Sequence, residues 1–427
     1  MASEQIAPTA IDDERERAAI QRRTLRTLFI GTIPAGAAMS GGFAAAATLG
    51  EDLTGSDGLG TFAAACVTVG GALTAVPLAS YTSRHGRRPG LALAWSIAAA
   101  GAVLCAIAAI AEIYVLLPPG LAGIGAGSAG TLSARYAAAD LATDEERAKA
   151  ISILVWGGTF GSVFGPLLAL GPASAAAEAF GLPELAGPYL FSLVLFAVAA
   201  VAVDRLLRPD PLAVAGGLGA ESGPRRRTAF GLLWSQPPAR LAVAAMVVGH
   251  GVMVGVMVAT PLHMKDGGHE LDVVGLVISV HVVGMYMFAP LVGILVSRIG
   301  PRLTIAIGGV ILFTGAEMAA HTDAEDRAGV LIGLFLVGLG WNFGLVSAST
   351  LLTASFSPED RVPVQGTADL AMTAAGASAG LLSGVILEAF GYDDLSHNAG
   401  LFGAALAVIA VMSLLPGRGR DEVSPGD

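Results

Sequence analysis

One hydrophilic signature occurs twice, 214 residues apart, in a chain that is otherwise a succession of long apolar runs. The first copy reads Ser83-Arg84-His85-Gly86-Arg87-Arg88 and the second Ser297-Arg298-Ile299-Gly300-Pro301-Arg302. Glu146-Arg147 and Asp360-Arg361, each preceding an apolar stretch, keep the same offset. A fixed offset over half the chain indicates duplication of a half-protein, and parallel membrane halves are a common plan among transporters.

Composition restricts the setting. Apolar residues make up 54% and charged residues only 14% of the 427, and the mean hydropathy is +0.69. Soluble domains carry about 25% charged residues, so this chain lacks the polar surface to face water on all sides. Its 57 glycines suit closely packed membrane helices. Twelve apolar runs are long enough to cross a bilayer core: 27–48, 60–82, 89–110, 113–138, 149–171, 187–208, 239–262, 272–296, 303–321, 328–353, 363–388 and 399–416. The expected fold is an all-α polytopic membrane protein, with two pseudo-symmetric six-helix bundles at 27–208 and 239–416. A tail (1–26), a linker (209–238) and a second tail (417–427) complete the chain.

An even number of spans puts both termini on one side, and Lys and Arg decide which. Of the 24 basic residues, all but Lys265 and Arg327 fall in the tails or in the breaks near 84–88, 135–149, 205–240, 298–302 and 361. The opposite breaks carry Glu51, Asp52, Asp57, Glu112, Glu178, Glu184, Asp393 and Asp394. Both termini are therefore expected to be cytoplasmic, and the net charge of −10 is topological. Cys66 and Cys105 fall within spans and read as buried apolar thiols. No cleavable signal peptide is visible, because the start is long and acidic. The linker holds Gly216-Gly217, the run Arg225-Arg226-Arg227 and Pro237-Pro238. Its stretch from Arg227 to Trp234 is either an interfacial helix with Trp234 at headgroup level or a loose basic connector.

The Arg-x-Gly-Arg-Arg cluster resembles a loop signature of the major facilitator superfamily of secondary carriers, which joins the second and third helices and has a weaker copy in the second half. The matching gating-loop positions are Ser83, Arg84, Gly86, Arg87 and Arg88, then Ser297, Arg298, Gly300 and Arg302. Serine replaces the family's acidic residue in both copies, so the family's ion pair is lost there. Ser83 is still expected to cap a helix start. In span five, Gly161-Ser162-Val163-Phe164-Gly165-Pro166 is similar to a Gly-x-x-x-Gly-Pro signature found chiefly in antiport exporters. Gly161 and Gly165 permit close packing, and Pro166 removes a backbone hydrogen bond. Such a bent helix suits the interface of two rocking halves. In span four, Gly123-Ile124-Gly125 resembles a third motif, but Pro119 stands where relatives carry a proton-coupling arginine. The resemblance covers essentially the whole chain and implies a superfamily, not a substrate.

Charge inside a membrane is costly, so each titratable side chain there is a site candidate. The proton-coupling candidates are His250 in span seven, His281 in span eight and Asp369 in span eleven. The alternative role for Asp369 is pairing with a loop arginine in gating. Glycines 249 and 251 beside His250 point to an open cavity wall, while the structural reading is a neutral histidine bonded between helices. Substrate-cavity candidates are Trp341, Asn342, Met253, Met257 and Met285. Core packing is the commoner role for such methionines, and the alternative for Asn342 is a bond to a neighbouring helix. Glu317, at the outer end of span nine, reads as solvated.

The sequence contains no Walker-type phosphate loop, no Cys/His metal spacing, no Gly-x-Ser-x-Gly and no His-Glu-x-x-His. Enzymatic, cofactor-dependent and ATP-driven functions lack support, and so does nucleic-acid binding. The reading is a plasma-membrane (inner-membrane) carrier, a monomer like most of its family, that exports a small molecule by proton antiport. Its partners are a small-molecule substrate, protons and the lipid bilayer. A uniporter or importer of a neutral solute is the alternative, and a non-transporting membrane sensor or scaffold the remote one.

Overall fold

A computed structural model describes residues 14–218, 228–269 and 271–415. The run Arg225-Arg226-Arg227, the tail from 417 and the first 13 residues lie outside the described residues. Within them the chain is helical throughout. Span one comprises α1 (Glu14–Ala44) and α2 (Ala46–Thr54); spans two to four are α3 (Asp57–His85), α4 (Arg87–Ala111) and α5 (Leu117–Ala137). Span five is α6 (Arg147–Leu168), continued by a π-turn at Ala169–Ala173 into α7 (Ser174–Ala179). Span six is α8 (Gly187–Leu206), and the linker contains α9 (Pro211–Val214) and α10 (Ala229–Ser235). Span seven is α11 (Pro237–Asp266), and span eight is divided into α12 (Leu271–Tyr286) and α13 (Ala289–Ile299). α14 (Pro301–Ala320) and α15 (Arg327–Ala354) are spans nine and ten. α16 (Pro358–Met412) holds the last two spans, joined at Gly391, whose φ of 86° and ψ of 173° interrupt the helix. Eleven long apolar helices thus contain the twelve apolar runs.

Helices approach closely because glycine lies at the crossings. A Cβ on Gly161 would lie 2.7 Å from the Gly36 carbonyl carbon, and one on Gly309 2.7 Å from the Gly403 oxygen. Small residues let dispersion contacts form between backbones where lipid supplies no hydrophobic drive. Gly161→Val is expected to overpack the α1–α6 crossing by about 1–3 kcal/mol. Thermal unfolding of the purified protein checks this, and an unchanged Tm would contradict it.

The elements pack as two sets. α1 lies on α6 and α8, α3 on α5, and α4 on α5 and α8; in the second half α11 lies on α16 and α15, and α14 on α15 and α16. Large apolar side chains on the periphery, such as Leu73, Val115, Val201 and Leu291, are exposed. An apolar surface on this scale belongs in lipid. The chain is a multi-pass membrane protein.

The turns after α3 and α13 are each made by a glycine with positive φ, 105° at Gly86 and 83° at Gly300. A side chain would be strained there, and these two residues keep the repeat offset. Side-chain bonds gather the basic breaks at one end of the molecule, here termed the basic face. Arg87 reaches Asp140, Arg88 lies beside Asp204, and Ser297 bonds the Glu145 carbonyl.

Candidate functional site

At the basic face the two sets meet along a buried polar seam. The Arg87 guanidinium comes from the first turn of α4, directly after the Gly86 turn, and is 1% exposed. Its Nε donates to Asp140 at 2.8 Å, and its Nη2 donates to Asp140 at 3.2 Å and across the seam to Gln365 Oε1 at 2.8 Å. Asp140 lies just beyond α5. Burial pushes its carboxyl up from the ordinary range, while the Arg87 guanidinium pulls it back.

One helical turn inside that layer is a second one. Arg135, in the last turn of α5, is 2% exposed. It donates from Nη2 to Asp369 Oδ1 at 2.5 Å and to the Tyr136 hydroxyl at 3.0 Å, and from Nε to Ser349 Oγ at 3.0 Å. Asp369 is on α16 and Ser349 on α15, so this arginine bonds two helices of the other half. Close packing continues the seam, with Gly366 of α16 against Ala75 and Ala79 of α3, and Gly293 of α13 against Ser152 of α6. Deeper still, Tyr286 lies 3.3 Å from where a Cβ on Gly158 of α6 would be. These cross-seam contacts all lie in the half nearer the basic face. Farther along, Phe62 and Val69 on α3 and Leu381 and Val385 on α16 are exposed.

The sequence candidates fall into distinct environments. Trp341 Nε1 donates to His250 Nδ1 at 3.0 Å, and Tyr286 packs edge-on against Trp341. An indole nitrogen only donates, so Nδ1 accepts and the ring proton of neutral His250 is on Nε2. One side of the His250 ring packs at Gly376, whereas a Cβ on Gly251 would meet nothing within 4 Å. The bonded histidine between helices is present, and a Cβ on Gly249 would meet Trp341 and Leu312 at 3.9 and 4.0 Å.

His281 is fully buried, its Nδ1 2.7 Å from the Leu334 carbonyl and its Nε2 without a hydrogen-bond partner among the described residues. Asn342 is also fully buried and donates to the Met285 carbonyl at 2.6 Å, which makes it an interhelical contact to span eight. Met253 and Met285 are in the apolar core; Met257 is half-buried beside it.

Ser83 does not cap a helix start: its hydroxyl turns back to the Ser80 carbonyl at 2.9 Å, near the end of α3. Ser297 bonds Gly293 and, across the seam, the Glu145 carbonyl, while Arg302 holds the Ser413 carbonyl. Arg84 and Arg298 are exposed. Gly161 and Gly165 of the span-five motif face α1, where Ser40 bonds the Gly161 carbonyl, and not the opposite half. α6 continues through Pro166, and the π-turn begins three residues later. Glu317 is half-buried, 2.8 Å from His397 Nδ1. Cys66 and Cys105 are free thiols.

The family model described as Major Facilitator Superfamily matches residues 28–273 and 254–426. The chain belongs to the Major Facilitator Superfamily. It is 35% identical over 414 residues to the uncharacterized MFS-type transporter YdeG of Bacillus subtilis (strain 168), covering 96% of this chain and 95% of that one. It is 29% identical over 373 residues to the riboflavin transporter RfnT of Brucella anthropi, covering 86% and 90%. Among solved structures, the human organic anion transporter MFSD10 (TETRAN) shares the fold with a TM-score of 0.75 at 14% identity, covering 91% and 99%. The superfamily consists of transporters and not enzymes, and this member is one of its membrane transporters.

Sequence reasoning misses the seam residues Arg135, Asp140, Ser349, Tyr136 and Gln365. Asp140 carried one usable signal, as an isolated acid closing an apolar stretch on the basic side.

Proposed function

We propose that this transporter exports a small organic molecule by alternating access, driven by proton antiport, from the cytoplasm across the plasma membrane. In this reading the basic face is cytoplasmic, the moving bodies are 27–208 and 239–416, and the structure is closed toward the cytoplasm. The polar seam is the observation that carries it: among the described residues, buried charges join the halves at the basic face, which suits one end state of a rocking cycle. Asp369 then acts in gating through Arg135. His250 is the leading proton-linked residue and His281 a weaker one. Protonation of His250 at Nδ1 requires Trp341 to leave, which ties a proton to movement of a cavity side chain. The protein works as a monomer.

A riboflavin transporter among the relatives supports a second reading, passage of a neutral solute by uniport or import. Energised efflux from cells lacking their main exporters separates the two. A panel of neutral, anionic and cationic dyes and antibiotics, with riboflavin added, is followed with and without a protonophore. Extrusion that the protonophore stops is the expected result; uptake alone would favour the second reading. His250→Gln is expected to flatten the pH dependence of exchange with substrate binding retained. An unaltered pH profile would remove His250 from the coupling step.

A further inference from the structure

We propose that Asp210 and the short helix after it form a strap that holds the basic face closed, with Asp210 as its positioning residue. This rests on the alternating-access reading above and adds a component that neither repeated motif contains.

The amino end of α4 has orphan backbone donors, and its own N-cap is Gly86, which has no side chain to offer. The acceptor comes from the linker. Asp210 Oδ2 accepts from Arg88 N at 2.7 Å and Oδ1 from Arg87 N at 3.2 Å. Oδ1 also accepts from Leu212 N at 2.9 Å and Ala213 N at 3.4 Å, so one carboxylate caps both α4 and α9. A negative group is favourable at both helix starts. Gly86 is required for this, since a Cβ there would occupy the carboxylate's place.

So fixed, α9 inserts Leu212 at the seam. Leu212 is 1% exposed and clusters with Ala79 of α3 and Val362 of α16, one wall from each half. Further along the strap, Gly217 approaches the Pro358 carbonyl at the start of α16. Opening the basic face separates α3 from α16 and strips Leu212 of one wall. The strap therefore stabilises the closed state selectively, and Asp210 acts through the placement of Leu212.

The test measures distances between spin labels at Arg205→Cys and Ala354→Cys, exposed positions on the two halves, with Cys66 and Cys105 replaced by alanine. Asp210→Asn and Leu212→Ser are each expected to raise the separated population on the order of tenfold, with Leu212→Met close to the parent. Thermal unfolding is recorded alongside. A lower Tm with unchanged distance distributions in both variants would mean a purely structural role and overturn the proposal. The distances need neither substrate nor protons, so this result stands or falls apart from the efflux assay.

Discussion

Arg135→Ala is expected to move the balance between closed and open basic face by a factor of about 10²–10⁴. Removing one partner of a buried ion pair costs about 3–5 kcal/mol, because the other charge is left without compensation. Here the orphan is Asp369, which is buried on the opposite half and takes its short ionic bond from Arg135. The loss falls on the closed state, since separation lets water reach the carboxylate. Asp369→Asn should cost less, because an amide oxygen still accepts from the guanidinium. The paired variant Arg135→Ala/Asp369→Ala should recover part of the loss, and a double-mutant cycle on the closed-state population measures the coupling. A coupling below about 0.5 kcal/mol would mean that the pair does not fasten the halves.

Arg87→Met should act mainly on stability, again by about 3–5 kcal/mol, because it strands Asp140. Asp140→Leu added to Arg87→Met should return much of it, since a packed apolar pair replaces the ionic one. The single variant also carries a pH signature. Burial already pushes the Asp140 carboxyl up, and loss of Arg87 removes the group that pulls it back. An acid whose pKa is higher folded than unfolded binds more protons in the native state, so its stability falls as pH rises between the two values. The deficit of Arg87→Met should therefore shrink on acidification from pH 7 toward the ordinary carboxylate range. Thermal unfolding across that range checks it, and a deficit independent of pH would show that Asp140 is not stranded.

The spans and the gathering of basic breaks at one end were legible in the chain because hydropathy and charge add up locally. The seam was not, because its bonds join residues far apart: Arg87 to Asp140 spans 53 positions, Arg87 to Gln365 278 and Arg135 to Asp369 234. Arg135 illustrates the difficulty. A basic residue at the end of a span on the basic side reads as a loop anchor, yet α5 continues to Ala137 and turns it inward. Ser83 misled in the opposite sense, since residue type alone suggested a cap while the acceptor at that helix start comes from 123 residues away. His250 and Trp341 were singled out separately, and their mutual bond is a property of the folded bundle.

Arg135 and Ser349 are 214 positions apart, the offset of the repeated motifs, and they touch. In the duplication proposed from that offset each is the other's counterpart, and a contact between equivalent positions belongs on its two-fold axis. A perfectly symmetric pair of halves would set two buried guanidiniums head to head. The single arginine, with a hydroxyl facing it, is how a duplicated architecture escapes that self-repulsion. Asymmetry at the axis is thus a requirement of charge in this fold, and swapping the two residues as Arg135→Ser/Ser349→Arg should be tolerated better than Ser349→Arg alone.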